Sequence, residues 1–188
     1  MMKVFVNPGH APGGDPDPGA VGPSGLRESD VAADVAVQVV NYLNGAGCQA
    51  IAYQSDSLQD ICNQANSLGA DLIVSIHCNS FSSAAATGME IWTSRGQTRA
   101  DRLATLIMAQ MAGEFPTLPV RSEWSDGDVD KEAGLYVLQN TVAPAVLVEL
   151  AFISNPNEEA ILASAEGKRM FAAAIARGVT DYIVEVGA

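Results

Sequence analysis

Hydrophobic and polar residues form two kinds of segment, which alternate along the chain: short continuous apolar runs, and longer segments in which apolar residues recur every three or four positions. Short apolar runs rich in Val and Ile, bounded by small polar residues, are typical of strands covered on both faces of a sheet. The run LIVSIH, for example, is entered from Gly69 and left through Asn79 and Ser80. The predicted strands cover residues 4–6, 49–53, 72–80, 88–93, 135–138 and 145–149.

Longer segments with apolar residues three or four positions apart predict amphipathic helices. One begins at Ser29 or Asp30, which are both suited to an N-cap, and is stopped by Gly45 and Gly47. The others cover residues 58–68, 99–115 and 168–183, with a short helix at Pro156 after the cap residue Asn155. Strands that alternate with helices predict an α/β fold. We expect a single domain over residues 1–188, with a mostly parallel, twisted sheet of about six strands and helices on both faces.

Two long segments follow neither spacing and are predicted to be loops. Residues 11–28 are too rich in Gly, Pro and Asp for regular structure, and loops of this length in a compact domain are usually functional or disordered. Residues 116–134 are polar and acidic, with Trp124 close to several carboxylates that include Asp126. We expect the second loop to be mobile and Trp124 to be a partly buried anchor; the alternative is a ring that stacks on a substrate.

Composition narrows the classes of function. Hydrophobic residues make up 48% of the 188 positions, enough for the core of one compact domain. No apolar stretch approaches the roughly 20 residues of a membrane-spanning helix, so no membrane association is expected. Acidic residues outnumber basic ones by 22 to 10, for a net charge of -12. Binding to nucleic acid, which requires clustered Lys and Arg, is therefore not expected, and we expect a monomer.

The amino terminus runs from Met1 into a predicted strand without the hydrophobic region and cleavage site of a signal peptide. We therefore expect synthesis in the cytoplasm. The chain would then act on its target after leaving by a route that needs no signal, such as phage or autolytic release. The alternative is that the sequence is a domain excised from a longer secreted protein.

The cysteines predict free thiols. Cys48, Cys62 and Cys78 are odd in number and lack CxxC spacing, which argues against disulfides and against a thiolate zinc site. We expect at least two of them to be buried. Cys78 follows His77 on a predicted strand, where successive side chains point to opposite faces. Core packing is thus the expected role of Cys78.

Both histidines of the chain follow a hydrophobic strand. His10 comes shortly after the strand at residues 4–6, and His77 ends the run that begins at Leu72. Because α/β sheets place their ligands at the carboxyl ends of strands, we expect the two imidazoles to meet in space. Glu28, at the start of a predicted helix, adds a carboxylate. Two imidazoles, one carboxylate and an open fourth position form a composition found in catalytic zinc sites.

Glu149 is a candidate general base beside such a metal. It ends an apolar strand and is followed by more apolar residues, where an unpaired carboxylate is costly. Each of these residues alone has a simpler explanation: a hydrogen-bonded structural histidine, a Glu28 that compensates a helix dipole, or a Glu149 that pairs with an Arg. The residue pattern alone leaves the metal and the substrate open.

Three segments carry a resemblance to a known family: NPGHAPGGDPDPGAVGPSGLRE, LIVSIHCNS and VLQNTVAPAVLVELAFISNPNE. In their order and separation they resemble the signature blocks of the zinc-dependent N-acetylmuramoyl-L-alanine amidases of the amidase-3 type. The resemblance implies a peptidoglycan hydrolase that binds one Zn²⁺ through His10, Glu28 and His77 and uses Glu149 as its catalytic carboxylate. It also implies action on the cell wall, as by an endolysin or an autolysin.

The substrate implied by this resemblance is peptidoglycan or its muropeptides, cleaved between the lactyl group of N-acetylmuramic acid and L-alanine. Asn79 and Asn140 are candidates for hydrogen bonds to the substrate, with local turn capping as the alternative. Asn7 stands where the family usually has Asp. If that Asp acts on the metal ligands from outside, Asn7 weakens the metal site.

Two other functions stay open. A cysteine hydrolase would use Cys78 with His10 and an Asn, and it would be sensitive to thiol reagents and indifferent to chelators. A zinc-holding module that binds muropeptides without cleaving them would give Glu149 a structural role, and the departure at Asn7 is its support.

Overall fold

The protein is described by a computed structural model over residues 1–124 and 127–187. One sheet of six strands runs through these residues. In chain order the strands are β1 (Lys3–Pro8), β2 (Gln49–Ala52), β3 (Leu72–Asn79), β4 (Glu90–Thr93), β5 (Lys131–Glu132) and β6 (Ala145–Phe152). Their order across the sheet is β2-β1-β3-β6-β4-β5. Neighbouring strands are parallel, except that β4 and β6 are antiparallel.

Helices cover both faces of this sheet. They are α1 (Glu28–Gly45), α2 (Leu58–Leu68), α3 (Arg99–Glu114), α4 (Tyr136–Asn140), α5 (Pro156–Ala163) and α6 (Ala165–Val186). Val4 and Val6 of β1 join the larger core with α1, α3 and α6, whereas Phe5 joins a smaller core with α2 and α4. Successive strand residues face opposite sides, so one strand serves both cores. The predicted α/β fold is confirmed.

Local capping signals explain where several helices begin and end. The Ser57 hydroxyl accepts a backbone hydrogen bond in the first turn of α2, which ends at Gly69 in the left-handed conformation. A capping box of Thr98 and Asp101 begins α3, and the Asn155 side chain caps α5. These are the positions where side-chain oxygens and glycine satisfy the free backbone groups of a helix end. The structure confirms the predicted helices there.

The predicted strand at residues 135–138 is wrong. This segment leads into the short helix α4, and β5 supplies the sixth strand instead. A short run of consecutive apolar residues does not distinguish a buried strand from a buried helix. Here Val137 and Leu138 pack against α2 in the smaller core, so tertiary packing decides in favour of a helix.

The start of α1 also differs from the prediction. The helix begins at Glu28 after an extended Arg27 that makes no side-chain cap hydrogen bond. The predicted caps Ser29 and Asp30 therefore lie within the first turn. Val21 and Arg27 form an isolated antiparallel bridge, which folds the preceding loop back on itself. Glu28 is thus held on the rigid helix rather than in the loop.

The second predicted loop is partly ordered by the sheet. Val120 pairs with Met89 in an isolated parallel bridge just before β4, and β5 lies within the same segment. Trp124 is 65% exposed, so the prediction of a partly buried anchor is wrong. Asp126 lies outside the described residues, and the mobility of the loop stays a prediction.

Two predictions from composition can be compared with the structure. No helix among the described residues combines the length and the apolar character needed to cross a bilayer. Cys62 and Cys78 are buried free thiols, and Cys48 is a partly buried one. Cys78 packs in the larger core, as the alternation of side chains along β3 requires.

Candidate metal centre

Three side chains meet at the carboxyl edge of the sheet. His10 follows β1 by two residues, His77 lies near the end of β3, and Glu28 is the first residue of α1. Because β1 and β3 are adjacent parallel strands, their carboxyl ends deliver both imidazoles to one edge. The two rings are edge to face with their centroids 5.2 Å apart.

The carboxylate of Glu28 bridges the two histidines. Its Oε2 lies 3.1 Å from His10 Nε2, and its Oε1 lies 3.0 Å from His77 Nδ1. The backbone N–H of Ala20 donates to Oε2 at 2.8 Å, and that of Cys78 donates to Oε1 at 3.0 Å. Both oxygens of this buried carboxylate are therefore fixed in direction.

The donor set of this cluster fits a zinc ion. One ligand atom from each of His10, Glu28 and His77 lies within 4.8 Å of the other two. In the part of the chain that the structure describes, this is the one such group of His, Cys, Asp and Glu residues. Two imidazole nitrogens and one carboxylate oxygen suit zinc and leave a position open for water or substrate. These residues are therefore the candidate ligands.

The charges of the cluster stabilise one another. A hydrogen bond to Glu28 raises the pKa of His10 to about 9; burial opposes this shift and a hydrogen bond to Asp17 adds to it. Burial favours a raised pKa for Glu28, but hydrogen bonds from His10 and His77 outweigh it and hold that pKa well below its usual range. Glu28 is thus an anion at neutral pH that attracts a cation, either the proton of an imidazolium or a metal ion.

Asp17 contacts the cluster and was missed by the sequence analysis. Its Oδ2 lies 2.8 Å from His10 Nδ1, and its Oδ1 accepts a hydrogen bond from the Gly19 N–H at 2.9 Å. A carboxylate on one ring nitrogen orients the imidazole and leaves the other nitrogen for a metal, as is usual for histidine ligands. The available signal was an acidic residue in the glycine-rich loop after His10, but local sequence does not show which carboxylate of that loop turns inward.

The backbone around the histidines is close-packed. His10 has a φ of +65°, a left-handed conformation that costs a residue other than glycine about 1–3 kcal/mol. A Cβ atom on Gly9 would lie 2.3 Å from Cε1 of His77, and one on Gly19 would lie 2.5 Å from Cδ2 of His10. Glycine at both positions lets the loop approach the imidazoles.

Glu149 lies opposite His77 in the register of β3 and β6. Its Oε2 is buried and has no hydrogen-bond partner among the described residues, so the alternative of a structural Arg partner is not seen at this oxygen. Burial raises the pKa of Glu149 to about 7; His77 lowers it, while Glu28 and Glu90 raise it. A carboxyl group with a pKa near neutrality is suited to accept and then release a proton.

The thiol of Cys78 is poorly placed for nucleophilic chemistry. Burial raises its pKa well above the usual value, and the charges of Glu28 and Glu149 raise it further. The thiolate is the nucleophilic form of cysteine, so a buried neutral thiol is inert. The structure therefore does not favour a cysteine hydrolase.

Asn7 belongs to the sheet. Its Oδ1 accepts a hydrogen bond from Ser75 Oγ at 2.8 Å, and its Nδ2 donates to the backbone oxygens of Pro8 and Tyr53. Within the described part of the chain, these bonds join β1 to its neighbouring segments and do not reach the candidate ligands. That Asn7 weakens the metal site therefore stays a prediction, without a hydrogen bond from Asn7 to a candidate ligand to support it.

The two asparagines predicted to bind substrate lie at opposite ends of the parallel strands, Asn79 at the carboxyl end and Asn140 near the amino end. Asn79 is two residues beyond His77 on β3 and lines a cavity together with Glu90 and Phe152. Asn140 ends α4, where its Nδ2 donates to the Tyr136 carbonyl and its own carbonyl accepts from Asn66 Nδ2. Because α4 precedes the amino end of β6, the structure brings Asn79 to the site and leaves Asn140 away from it.

Comparison with models of known protein families matches most of the chain to one family. Residues 4–181 match the family model Amidase_3, described as N-acetylmuramoyl-L-alanine amidase. The chain is 36% identical over 185 residues to the N-acetylmuramoyl-L-alanine amidase LytC of Bacillus subtilis (strain 168). That match covers 95% of this chain and 35% of LytC, so the chain spans only part of the length of that relative.

Solved structures show the same similarity in three dimensions. The N-acetylmuramoyl-L-alanine amidase AmiC2 of Nostoc punctiforme superposes with a TM-score of 0.86 at 29% identity, over 97% of both chains. The catalytic domain of CwlV, an N-acetylmuramoyl-L-alanine amidase from Bacillus (Paenibacillus) polymyxa var. colistinus, gives a TM-score of 0.85 at 28% identity. That match covers 98% of this chain and 99% of the other.

Proposed function

The chain belongs to the amidase-3 family of N-acetylmuramoyl-L-alanine amidases, and from this membership we propose that it is a zinc-dependent hydrolase of peptidoglycan. The bond cleaved is the amide between the lactyl group of N-acetylmuramic acid and L-alanine. One observation carries the proposal. The cluster of His10, Glu28 and His77 lies beside Glu149, whose buried Oε2 has no partner among the described residues.

The metal-binding part of this proposal assigns one Zn²⁺ to His10, Glu28 and His77. When bound, zinc supplies a Lewis acid that polarises the amide carbonyl and lowers the pKa of water. Asp17 supports the site because its contact with His10 Nδ1 keeps the proton on that nitrogen and leaves Nε2 free as a ligand. Glu28 supplies the negative charge that favours a cation between the imidazoles.

Proton transfer in this mechanism is assigned to Glu149. With a pKa of about 7, its ionised form accepts a proton from the attacking water as the water oxygen bonds to the carbonyl carbon. The same carboxyl group then donates that proton to the nitrogen of L-alanine as the carbon–nitrogen bond breaks. The products are a free lactyl carboxyl group and a free amine. The partly buried position of Glu149 keeps its proton affinity close to what both steps need.

The function without catalysis has less support. A module that only binds muropeptides needs Glu149 as a structural residue with a hydrogen-bond partner, whereas its Oε2 has none among the described residues. Asn7, the residue that favoured this alternative, makes its hydrogen bonds within the sheet.

The partner in this proposal is peptidoglycan or its muropeptide fragments, and the site of action is the cell wall, as for an endolysin or an autolysin. We include a monomeric state in the proposal. The net charge of -12 favours a substrate of low anionic charge density, because like charges repel at long range.

Digestion of purified peptidoglycan tests the proposed function. The zinc-loaded protein is compared with a sample treated with chelator, and new L-alanine amino groups are measured alongside new reducing sugar ends. We expect amino groups to appear without reducing ends, to disappear with chelator and to return with added zinc. Reducing ends without new amino groups, or release that chelator leaves unchanged, would overturn the proposal.

A further inference from the structure

A cavity of about 470 Å³ has Asn79, Glu90, Arg121 and Phe152 in its lining. Glu90 is in register with Glu149 across β4 and β6, and Asn79 is in register with Phe152 across β3 and β6. Neighbouring strands are separated by about 4.8 Å. The cavity therefore begins one strand away from the proposed proton-transfer group.

Arg121 supplies a positively charged group to this cavity. Its Nε pairs with the carboxylate of Glu90, and its side chain is 44% exposed. The guanidinium carbon lies 5.2 Å from the ring centre of Phe152, and the backbone N–H donates to the Met89 carbonyl at 2.9 Å. A planar guanidinium held by an anion, an aromatic face and a fixed backbone is preorganised for binding.

Two cations, Arg121 and Lys131, share the carboxylate of Glu90. Lys131 Nζ lies 3.2 Å from the same Glu90 oxygen that Arg121 contacts and 5.1 Å from the ring centre of Trp92. Glu90 is 3% exposed, so one buried carboxylate faces two cations, and the trio carries one net positive charge. Glu149, opposite Glu90 on the next strand, opposes this charge when it is ionised, so the half-exposed guanidinium of Arg121 is the group placed to attract an anion.

We propose that this cavity binds the peptide part of the substrate and that Arg121 recognises the α-carboxylate of the residue that follows L-alanine. The inference rests on the proposed amidase function, because that function places L-alanine at Glu149. The peptide side of the cleaved bond carries carboxylates, whereas the sugar side presents neutral hydroxyl and acetamido groups. The positive charge of Arg121 therefore matches the peptide side.

The rest of the lining fits a short peptide. Phe81 is 62% exposed and lines the cavity with Phe152 and two alanines, which offers apolar surface to the carbon atoms of the residue. Asn79 provides an amide at the same rim. Apolar side chains combined with a few placed polar groups are typical of small-ligand sites.

Two muropeptides that differ in one group test this assignment. They are N-acetylmuramoyl-L-alanyl-D-glutamic acid with a free α-carboxylate and the same compound with an α-amide. In Arg121→Gln we expect kcat/KM for the free acid to fall about tenfold, through a higher KM. The value for the amide is expected to fall by less than about twofold, because a charge-assisted hydrogen bond is lost only with the acid. Arg121→Lys keeps the charge without the planar fork and is expected to lie between the two.

Arg102→Gln is the matched control, because Arg102 pairs with Glu185, which joins α3 to α6. It is expected to leave both compounds unchanged. Binding of the two compounds to zinc-loaded Glu149→Gln, with and without Arg121→Gln, separates the inference from the proposed function. A preference for the acid that disappears with Arg121→Gln supports the inference even if no cleavage is found.

Two other outcomes would contradict the inference, and they differ in what they imply for the proposed function. If the wild-type protein cleaves both compounds and Arg121→Gln affects them equally, or neither, the cavity does not recognise the α-carboxylate and the amidase function stands. If the protein neither binds nor cleaves either compound, both the inference and the proposed function are overturned.

Discussion

Glu149 and His77 lie directly opposite each other on the adjacent parallel strands β6 and β3. Residues in register on neighbouring strands point to the same face of a sheet, so the carboxyl group lies beside the imidazole. Burial raises the pKa of Glu149, and the charge of His77 opposes this shift. The candidate metal ligand His77 therefore lies next to Glu149, the group proposed to transfer the proton. Mutation can separate metal binding from proton transfer.

Glu149→Ala is expected to retain zinc and to lose turnover by about 10²–10⁴-fold, the usual contribution of a general base. His77→Ala is expected to lose both zinc and turnover, because it removes a candidate ligand. Zinc content after dialysis and the rate of L-alanine amine release measure the two effects. A Glu149→Ala variant with normal turnover would refute its assigned role.

Asp17→Ala is expected to weaken zinc binding about 10–100-fold while the fold is kept, because His10 loses the carboxylate that orients its ring. Competition with a chromophoric chelator measures the affinity without any substrate. Asp15→Ala is the control, since Asp15 is exposed in the same loop. Equal affinities for the two variants would show that the contact between Asp17 and His10 does not support the site.

Gly19→Ala is expected to abolish zinc binding, because its Cβ would lie 2.5 Å from the His10 ring and 2.7 Å from Glu28 Oε2. Gly13→Ala isolates the backbone effect, since Gly13 has the same φ of +67° with nothing within 4 Å of its Cβ position. We expect Gly13→Ala to lower stability by about 1 kcal/mol and to keep zinc. Zinc titration of the folded variants distinguishes the two cases, and retention of zinc by both would argue against close packing of the loop.

Asp130 predicts a specific dependence of stability on pH. Burial raises its pKa from 3.8 to about 7; a hydrogen bond from Thr93 opposes this shift, and Asp128 adds to it. Its Oδ1 has no hydrogen-bond partner among the described residues. The folded state therefore holds a proton that the unfolded chain releases at lower pH. The stability that this proton contributes is fully present below about pH 4 and is lost as the pH rises through about 7.

Asp130→Asn is expected to remove this dependence, because the amide stays neutral. Relative to the wild type, its free energy of unfolding should rise by at most a few kcal/mol between pH 4 and pH 8. Denaturant titrations across this range provide the measurement, with Asp56→Asn as a matched exposed control. A difference from the wild type that stays constant with pH would contradict the buried, protonated state of Asp130.

Local patterns were sufficient for most of the fold. The helix predicted at residues 58–68 coincides with α2, because Ser57 and Gly69 are signals that act within one or two turns. The run that begins at Leu72 is β3 for a similar reason, because the polar residues on both sides of the apolar run mark where the strand begins and ends. At residues 135–138 the same reasoning failed, because a four-residue apolar run suits either element and packing against α2 decided.

The sequence by itself determined that His10, Glu28 and His77 are the candidate ligands, because strand ends and a helix start meet at one edge of a parallel sheet. Only the tertiary structure decided that Asp17 turns toward His10 and that Arg121 pairs with Glu90, which lies opposite Glu149. These contacts depend on how a loop folds back and on which strand lies antiparallel to its neighbour. The pKa of Glu149 likewise depends on burial by residues distant in sequence, and local spacing carries no information about burial of that kind.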